Sequence, residues 1–187
     1  MKKLIKISVA FVCFSCIQAG CASAQPVDLS TDKAVREKLA KNTDFKSNPD
    51  NLCIERLKES AKIIVIGNHA NDRDCRIDGV FVDSRYFDAG DATLSKTALN
   101  ALGWKMANQQ KRENLAKLWV ENGLLVFYRV LYTRDKDFKE AEFQPPKVVS
   151  NENGETVVTL WTSIMNRKKE FEFFKFIFAV DGSLLKS

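Results

Sequence analysis

The sequence is poor in the residues from which most catalytic and metal sites are built. Its 187 residues include one His, at position 69, and five Cys, three of which fall within the first 21 positions. A zinc site needs several His or Cys ligands, and a triad needs a nucleophile beside its base, so neither is supported. Gly-rich phosphate loops and dinucleotide-binding patterns are also lacking. We therefore expect no metal and no cofactor, assign no catalytic residue, and interpret His69 as part of a polar loop.

An excess of positive charge is lacking as well. The formal net charge is +5, but Lys2, Lys3 and Lys6 lie in an N-terminal leader, and their removal leaves +2. The longest basic run is 167–169, which is typical of a hairpin loop. Nucleic-acid binding requires a concentrated basic face, so we expect no nucleic-acid partner.

The one long apolar run lies at the N-terminus. Basic residues at positions 2, 3 and 6 precede an apolar stretch over 4–17, and small residues follow up to Ala24. This three-part layout is typical of a secretory signal peptide over 1–24. The run is too short for a stable membrane span. We therefore predict an exported bacterial protein that works in the periplasm.

A second processing route is also consistent with this leader. Ala19-Gly20-Cys21 matches the end of a bacterial lipobox, with Cys21 as the lipidated residue and 1–20 as the signal. Gln18 departs from that motif, which favours an aliphatic residue there. On this alternative the protein is anchored to a bacterial membrane and faces the periplasm. Membrane contact is expected only through that anchor.

Two Cys remain after the leader, Cys53 and Cys75. An even pair in an oxidising compartment predicts a disulfide between them. Closing a loop of this length would stabilise the fold by about 3 kcal/mol in the chain-entropy model.

The pattern after the leader predicts an α+β fold. A polar segment over 25–50 holds one short helix, capped at Ser30 or Thr31, and 51–187 forms a single domain. Within that domain we expect a helix over 51–62, strands over 62–67 and 75–83, and a polar loop between those strands. A long central helical segment over 93–121, with a break or kink near Gly103, is expected to pack on a curved antiparallel meander.

The end of the central helix and the strands after it carry clear turn signals. Asn122-Gly123 predicts a left-handed helix end, and the residues over 124–133 suit a strand covered on both faces. Asn153-Gly154 predicts a hairpin, and Pro145-Pro146 confine the strand before it to an edge. A phase change between Phe173 and Phe174 predicts a bulge in the last long strand. In element order the chain is similar to the cystatin-like or NTF2-like arrangement.

Acidic residues cluster over 72–91 but do not form a recognisable site. Asp72 and Asp74 begin like a calcium loop, yet Arg76 and the absence of a closing Glu break the pattern. A carboxylate pair for sugar hydrolysis would have to assemble in the fold, and Glu113, Glu121 and Asp88 are its best candidates.

Aromatic residues on the predicted strands supply the best binding hypothesis. Candidate partner-binding residues are Tyr128, Tyr132, Trp161, Arg85 and Tyr86, because aromatics and Arg are favoured interface anchors. We expect a protein partner in the periplasm, with an immunity or inhibitor protein against a toxin or hydrolase as one concrete form. A small-ligand-binding envelope lipoprotein and a carboxylate-based hydrolase are the alternatives.

Overall fold

The computed structural model describes residues 28–43, 45–71, 74–136, 138, 142–164 and 170–187. The predicted leader and Cys21 lie outside these residues, as does the basic run over 167–169. The helices are α1 (Asp32–Ala40), α2 (Leu94–Ala101) and α3 (Gln109–Trp119). The strands are β1 (Leu52–Arg56), β2 (Ile63–Asn71), β3 (Asp74–Val82), β4 (Arg85–Asp88), β5 (Tyr128–Val130), β6 (Lys147–Ser150), β7 (Thr156–Ile164), β8 (Phe171–Phe178) and β9 (Leu184–Lys186). Within the described residues, we find no helix with the length and hydrophobicity that a membrane span requires.

The strands form two antiparallel sheets, which makes this an α+β structure as predicted. The first sheet has the order β1-β2-β3-β4, so each strand pairs with its neighbour in sequence. In the second sheet, β7 pairs with β8, β8 pairs with β9, and both β5 and β6 pair with β7.

The main core lies where α2 and α3 pack against both sheets. Trp104 and Trp119 are fully buried there, and the Trp104 indole donates to the Val180 carbonyl at 2.8 Å. The first sheet contributes Ile63, Val65, Val80, Val82 and Phe87, and the second contributes Val158, Leu160, Phe176 and Phe178. A second cluster lies on the far face of the first sheet, where Val35 and Leu39 of α1 cover Leu52, Ile64, Ile66 and Phe81.

The helix predicted over 51–62 is wrong, because residues 52–56 form strand β1 and residues 57–62 form the turn that leads to β2. Ile54, Leu57 and Ala61 have helical spacing, but Leu52 and Ile54 also alternate as a strand requires. Residues 52–56 pair with residues 64–68 of β2, and Leu52 and Ile54 pack in the cluster beneath α1. Sheet pairing and burial therefore outweigh the local helix pattern.

The strand β4 was not predicted from the sequence. It pairs with β3 through a two-residue turn at Asp83 and Ser84, whose φ angles are 49° and 67°. Two successive positive φ angles are typical of the type I′ turn that joins antiparallel strands. Asn-Gly is the usual sequence signal for this turn, and Asp-Ser does not provide it.

The helical segment expected over 93–121 is two separate helices, divided near Gly103. α2 ends at Ala101, Gly103 has a φ of 95°, and a 3-10 turn over Trp104–Met106 precedes α3. The Asn108 side chain accepts from the Lys111 amide and so caps the start of α3. The two apolar stripes seen in the sequence therefore belong to separate helices that enter one core.

The predicted left-handed helix end at Asn122-Gly123 is wrong. The helix continues as a π turn over Val120–Leu124, and Gly123 is not among the described residues with positive φ. A Cβ at Gly123 would overlap the Trp119 ring, so this glycine allows the buried indole to lie on the backbone. The strand expected over 124–133 is consequently only three residues long, at β5.

The C-terminal hairpin predictions are largely confirmed. β6 and β7 are joined by a turn in which Gly154 has a φ of 75°, and β6 is an edge strand. The bulge predicted between Phe173 and Phe174 is wrong, because β8 pairs with β7 in unbroken register. The register shift in β8 lies between Ile177 and Phe178, where β9 pairs.

The predicted disulfide between Cys53 and Cys75 is confirmed. It links β1 to β3, which are not neighbours, and therefore crosses over the intervening strand β2. It crosses at Gly67, where a Cβ would overlap both the Cys75 sulfur and the Phe127 ring. The absence of a side chain at Gly67 thus makes room for the bridge and for Phe127 together.

Candidate functional site

A cleft of about 410 Å³ lies beside β4, at the edge of the first sheet. Its lining comes from two regions that are distant in sequence. The loop after α1 contributes Thr43, Phe45, Lys46 and Ser47, and the β3–β4 hairpin contributes Asp78, Tyr86 and Asp88. We call this the β4 cleft.

Tyr86 forms the aromatic wall of the β4 cleft. Its ring packs edge-on against Phe45 and Phe81, with ring centroids 5.9 Å and 5.4 Å away. Its hydroxyl donates to the Asp78 carbonyl at 3.3 Å. A Cβ at Gly79 would overlap the Tyr86 phenol, so Gly79 is the residue that lets this side chain lie across β3.

Two carboxylates flank Tyr86. The Ser47 hydroxyl donates to the Asp78 carboxylate, and the Gly90 amide donates to the Asp88 carboxylate at 2.9 Å. No salt bridge joins Asp78 or Asp88 to a cation within the described residues. Both groups therefore keep acceptor capacity toward a molecule that enters the cleft.

The electrostatic environment at Tyr86 reflects these two carboxylates. Burial of the phenol raises the pKa of Tyr86 well above its usual range, and the negative charges of Asp88 and Asp78 raise it further. Lys46 is the one cation in the lining. The cleft wall around Tyr86 is thus electronegative, and it favours cationic groups.

No family model, curated protein or solved structure matches this chain. Its function must therefore be argued from the geometry of its own sites.

A second cleft, of about 740 Å³, lies near the start of α1 and the β3–β4 turn. Its charged residues already have partners. Arg56 lies 2.6 Å from the Asp32 carboxylate, and Lys62 lies 3.3 Å from the Asp83 carboxylate. Asp28 accepts only from the Ser30 amide and hydroxyl, so one carboxylate of this cleft lacks a cationic partner among the described residues, whereas the β4 cleft has two such carboxylates.

The five predicted partner-binding residues do not form one surface. Arg85 and Tyr86 are neighbours on β4, and the Arg85 guanidinium lies 4.8 Å from the centroid of the Phe87 ring. Tyr128 packs edge-on against Phe174 at 5.8 Å on the core side of the second sheet.

Tyr132 and Trp161 lie elsewhere on the second sheet. Tyr132 is 54% exposed, and the Lys117 ammonium lies 5.3 Å from its ring centroid. Burial, together with a hydrogen bond and the charge of Glu121, raises the pKa of Tyr132 to about 12. Trp161 lies on the side of the second sheet away from the helices, between Phe138 and Phe173.

The residues considered for catalysis are not brought together. Glu113 accepts from the Ser150 hydroxyl at 2.8 Å, Glu121 lies 4.0 Å from the Lys117 ammonium, and Asp88 belongs to the β4 cleft. The expected polar loop at His69 is the end of strand β2, where its imidazole lies 3.4 Å from the Cys53 sulfur.

The calcium-like start at Asp72 lies outside the described residues. Within the residues that are described, no group of three or more His, Cys, Asp or Glu could hold a metal ion.

The sequence pointed to part of the β4 cleft and missed the rest. The sequence indicates Tyr86 and Asp88 individually, but not Phe45 or Ser47. Ser47 and Asp78 are 31 residues apart and meet only because the loop after α1 folds over the β3–β4 hairpin. Gly79 beside Asp78 was the available signal, since it marks a close approach within a strand.

Proposed function

We propose that this protein binds a protein partner through the β4 cleft and acts as an immunity or inhibitor protein. The observation that carries this proposal is the pair of carboxylates, Asp78 and Asp88, flanking an aromatic wall without a cationic partner among the described residues. An open, acidic and aromatic cleft is suited to receive a basic side chain from another protein.

The chemistry of the cleft favours arginine on the partner. A guanidinium can donate to a carboxylate through two parallel hydrogen bonds, and its planar group stacks on aromatic rings. Tyr86 and Phe45 supply such rings, and Asp78 and Asp88 supply the acceptors. A buried Arg held in this way is a common interface hot spot.

We further propose that the protein works outside the bacterial cytoplasm. The leader over 1–24, the lipidation alternative at Cys21 and the disulfide between Cys53 and Cys75 support this location. The mass of the processed N-terminus distinguishes the two routes, because lipidation would leave an acylated Cys21 as the first residue. Finding the unprocessed chain in the cytoplasm would contradict both.

The cystatin-like or NTF2-like arrangement also remains a proposal about the fold. Helices packed on an antiparallel sheet support it, although the helices here lie between two sheets.

A small cationic ligand is the second candidate for the same cleft. Its volume of about 410 Å³ lies within the range that is usual for small-molecule sites. A soluble amine would then compete with the protein partner for Asp78 and Asp88.

The experiment compares the wild type with the double variant Asp78→Asn/Asp88→Asn. Asn keeps the size and the acceptor oxygen that Ser47 and Gly90 use, while it removes the negative charge. We expect the variant to bind its partner about tenfold or more weakly and to lose protection in a toxin coexpression assay. The partner is first captured by crosslinking in the native host.

The matched control is Glu59→Gln/Glu152→Gln, which removes two exposed carboxylates outside the cleft. It should bind as the wild type does. Equal binding by the Asp78→Asn/Asp88→Asn variant would contradict the proposal. Competition by a small amine, with no protein captured, would favour the ligand candidate.

A further inference from the structure

The second sheet has one face that the described helices do not cover. On its inner face, Val158, Leu160, Phe176 and Phe178 are buried against α2 and α3. On its outer face, no residue of β6, β7 or β8 is fully buried, and Phe173 is 49% exposed. Phe138 covers the end of this face at Trp161 and Phe171, and the rest of the face is available in the part of the chain that the structure describes.

The outer face carries apolar side chains that are not part of the main core. Paired residues on antiparallel strands share a face, so the register identifies its members. The apolar ones are Val149, Val157, Trp161, Phe171, Phe173 and Ile177. Trp161 and Phe173 lie side by side, with ring centroids 5.2 Å apart, and Phe138 covers Trp161 from its other side.

The same face carries three lysines. Lys147 and Lys175 both lie opposite Thr159 in one row across the sheet, and Lys186 lies opposite Ile177. No ion pair joins any of these ammonium groups to a carboxylate of the described residues. The paired positions of this face include no Asp or Glu, so these strand positions carry a net positive charge.

From this combination we infer that the outer face of the second sheet docks on an anionic lipid surface. The long aliphatic side chain of lysine allows its ammonium group to reach lipid phosphates. Aromatic rings lie favourably at the level of the headgroups. Each lysine near such a surface adds to the attraction, which falls off within a Debye length.

A protein partner fits this face less well. The centres of protein interfaces are enriched in Arg and depleted of Lys, and the unpaired cations of this face are all Lys. The one Arg of the face, Arg129, lies 3.8 Å from the Asp135 carboxylate. An open sheet face with lysines around the exposed Phe173 ring suits a lipid surface.

The fluorescence of the three tryptophans can report directly whether the outer face contacts lipid. Trp104 and Trp119 are fully buried in the core, whereas Trp161 is only partly buried on the outer face. Lipids brominated near the headgroup should therefore quench Trp161 and leave the other two unaffected. The purified chain carries Cys21→Ser in every sample, so that an acyl group cannot contribute.

The probes are phosphatidylcholine vesicles with and without about one third phosphatidylglycerol. We expect binding and quenching with the anionic vesicles only, weakened by added salt. Lys147→Glu/Lys175→Glu should bind about tenfold or more weakly, and Phe173→Ser should reduce quenching. The charge-matched control is Lys58→Glu/Lys105→Glu, at exposed positions off this face, and it should bind like the parent chain.

Several outcomes would overturn the inference. Equal binding to neutral and anionic vesicles, or no binding to either, would exclude an anionic lipid surface. An equal loss in the control variant would show that net charge, not this face, controls binding. If Lys147→Glu/Lys175→Glu left vesicle binding intact but abolished capture of the protein partner, the face would belong to that protein instead. The β4 cleft variants separate the two proposals, because they should not change vesicle binding.

Discussion

The two sheets are built alike but covered differently. The first is packed on both faces, by α1 on one side and by α2 and α3 on the other. The second is packed by helices on its inner face, whereas on its outer face Phe138 covers only the end that carries Trp161 and Phe171. On the first sheet, apolar residues on both faces are explained by burial, and the open chemistry is confined to the β4 cleft at its edge. On the second, Val149 and Phe173 are exposed on the outer face without a covering element among the described residues, which is why we assign this face to a docking surface.

The largest expected effect tests the contrast between the two faces of the second sheet. Phe178 is fully buried and Phe173 is 49% exposed, although both belong to β8. Phe178→Ala should lower the free energy of unfolding by about 4 kcal/mol, because it leaves a cavity in the core. Phe173→Ala should lower it by less than about 1 kcal/mol. Urea denaturation of both variants measures the difference.

Similar losses in the free energy of unfolding for Phe178→Ala and Phe173→Ala would contradict the difference in packing between the two faces. Phe173 would then be packed against something, and the outer face would not be open for docking. A small loss at Phe178 would instead mean that the inner face is less tightly packed than its burial indicates.

The second prediction concerns the Cys53–Cys75 disulfide, which lies in the first sheet. Gly67→Ala places a methyl group against the Cys75 sulfur and the Phe127 ring. The sulfur is held by its bond to Cys53, and Phe127 packs against the core, so neither can move freely. We expect a loss of about 3 kcal/mol in the free energy of unfolding, as is usual for overpacking.

Gly90→Ala is the matched control for Gly67→Ala. A Cβ there would meet only the Asp88 carboxylate, at 3.5 Å, so its effect should stay within about 0.5 kcal/mol. Hydrogen exchange adds a regional test, because Gly67→Ala should expose amides of β1 and β3 before those of β7 and β8. Uniform loss of protection would show that the two sheets unfold as one unit.

The sequence correctly predicted features that depend on neighbouring residues, such as a turn, or on the number of cysteines. Asn153-Gly154 was sufficient for the β6–β7 hairpin, and the even pair of Cys was sufficient for the disulfide. It failed where contacts distant in sequence decide the outcome. β1 has a helical pattern but is held as a strand by β2, and Gly123 has a helix-ending sequence but serves the packing of Trp119.

The candidate sites follow the same division. Tyr86 could be selected as an aromatic residue near acidic ones, but the β4 cleft exists only because Ser47 and Phe45 arrive from another segment. The lysines of the outer face are far apart in sequence, and only the strand register places Lys147 and Lys175 in one row. Spacing within a single segment cannot reveal either arrangement.

The smallest effect, and the sharpest test of the β4 cleft, is the ionisation of Tyr86. Its pKa is raised above the ordinary value of 10.0 by burial and then by the charges of Asp88 and Asp78. Asp88→Asn removes one of those charges, so the pKa of Tyr86 should fall toward 10.0 without reaching it. Ultraviolet difference absorbance in a Tyr132→Phe background measures this, because the pKa of Tyr132 is itself raised to about 12.

The raised pKa of Tyr86 also determines how the free energy of unfolding should change at alkaline pH. The folded pKa of Tyr86 lies above its unfolded value, so the folded state holds the proton more tightly. Its contribution to stability is complete below pH 10.0 and is lost as the pH rises through the folded pKa. In Asp88→Asn this loss should be smaller and should end at a lower pH, whereas Glu152→Gln should leave the titration unchanged. If Asp88→Asn did not move the Tyr86 titration, Asp88 would not act electrostatically on the cleft, and the contrast between an acidic first-sheet site and a basic second-sheet face would fail.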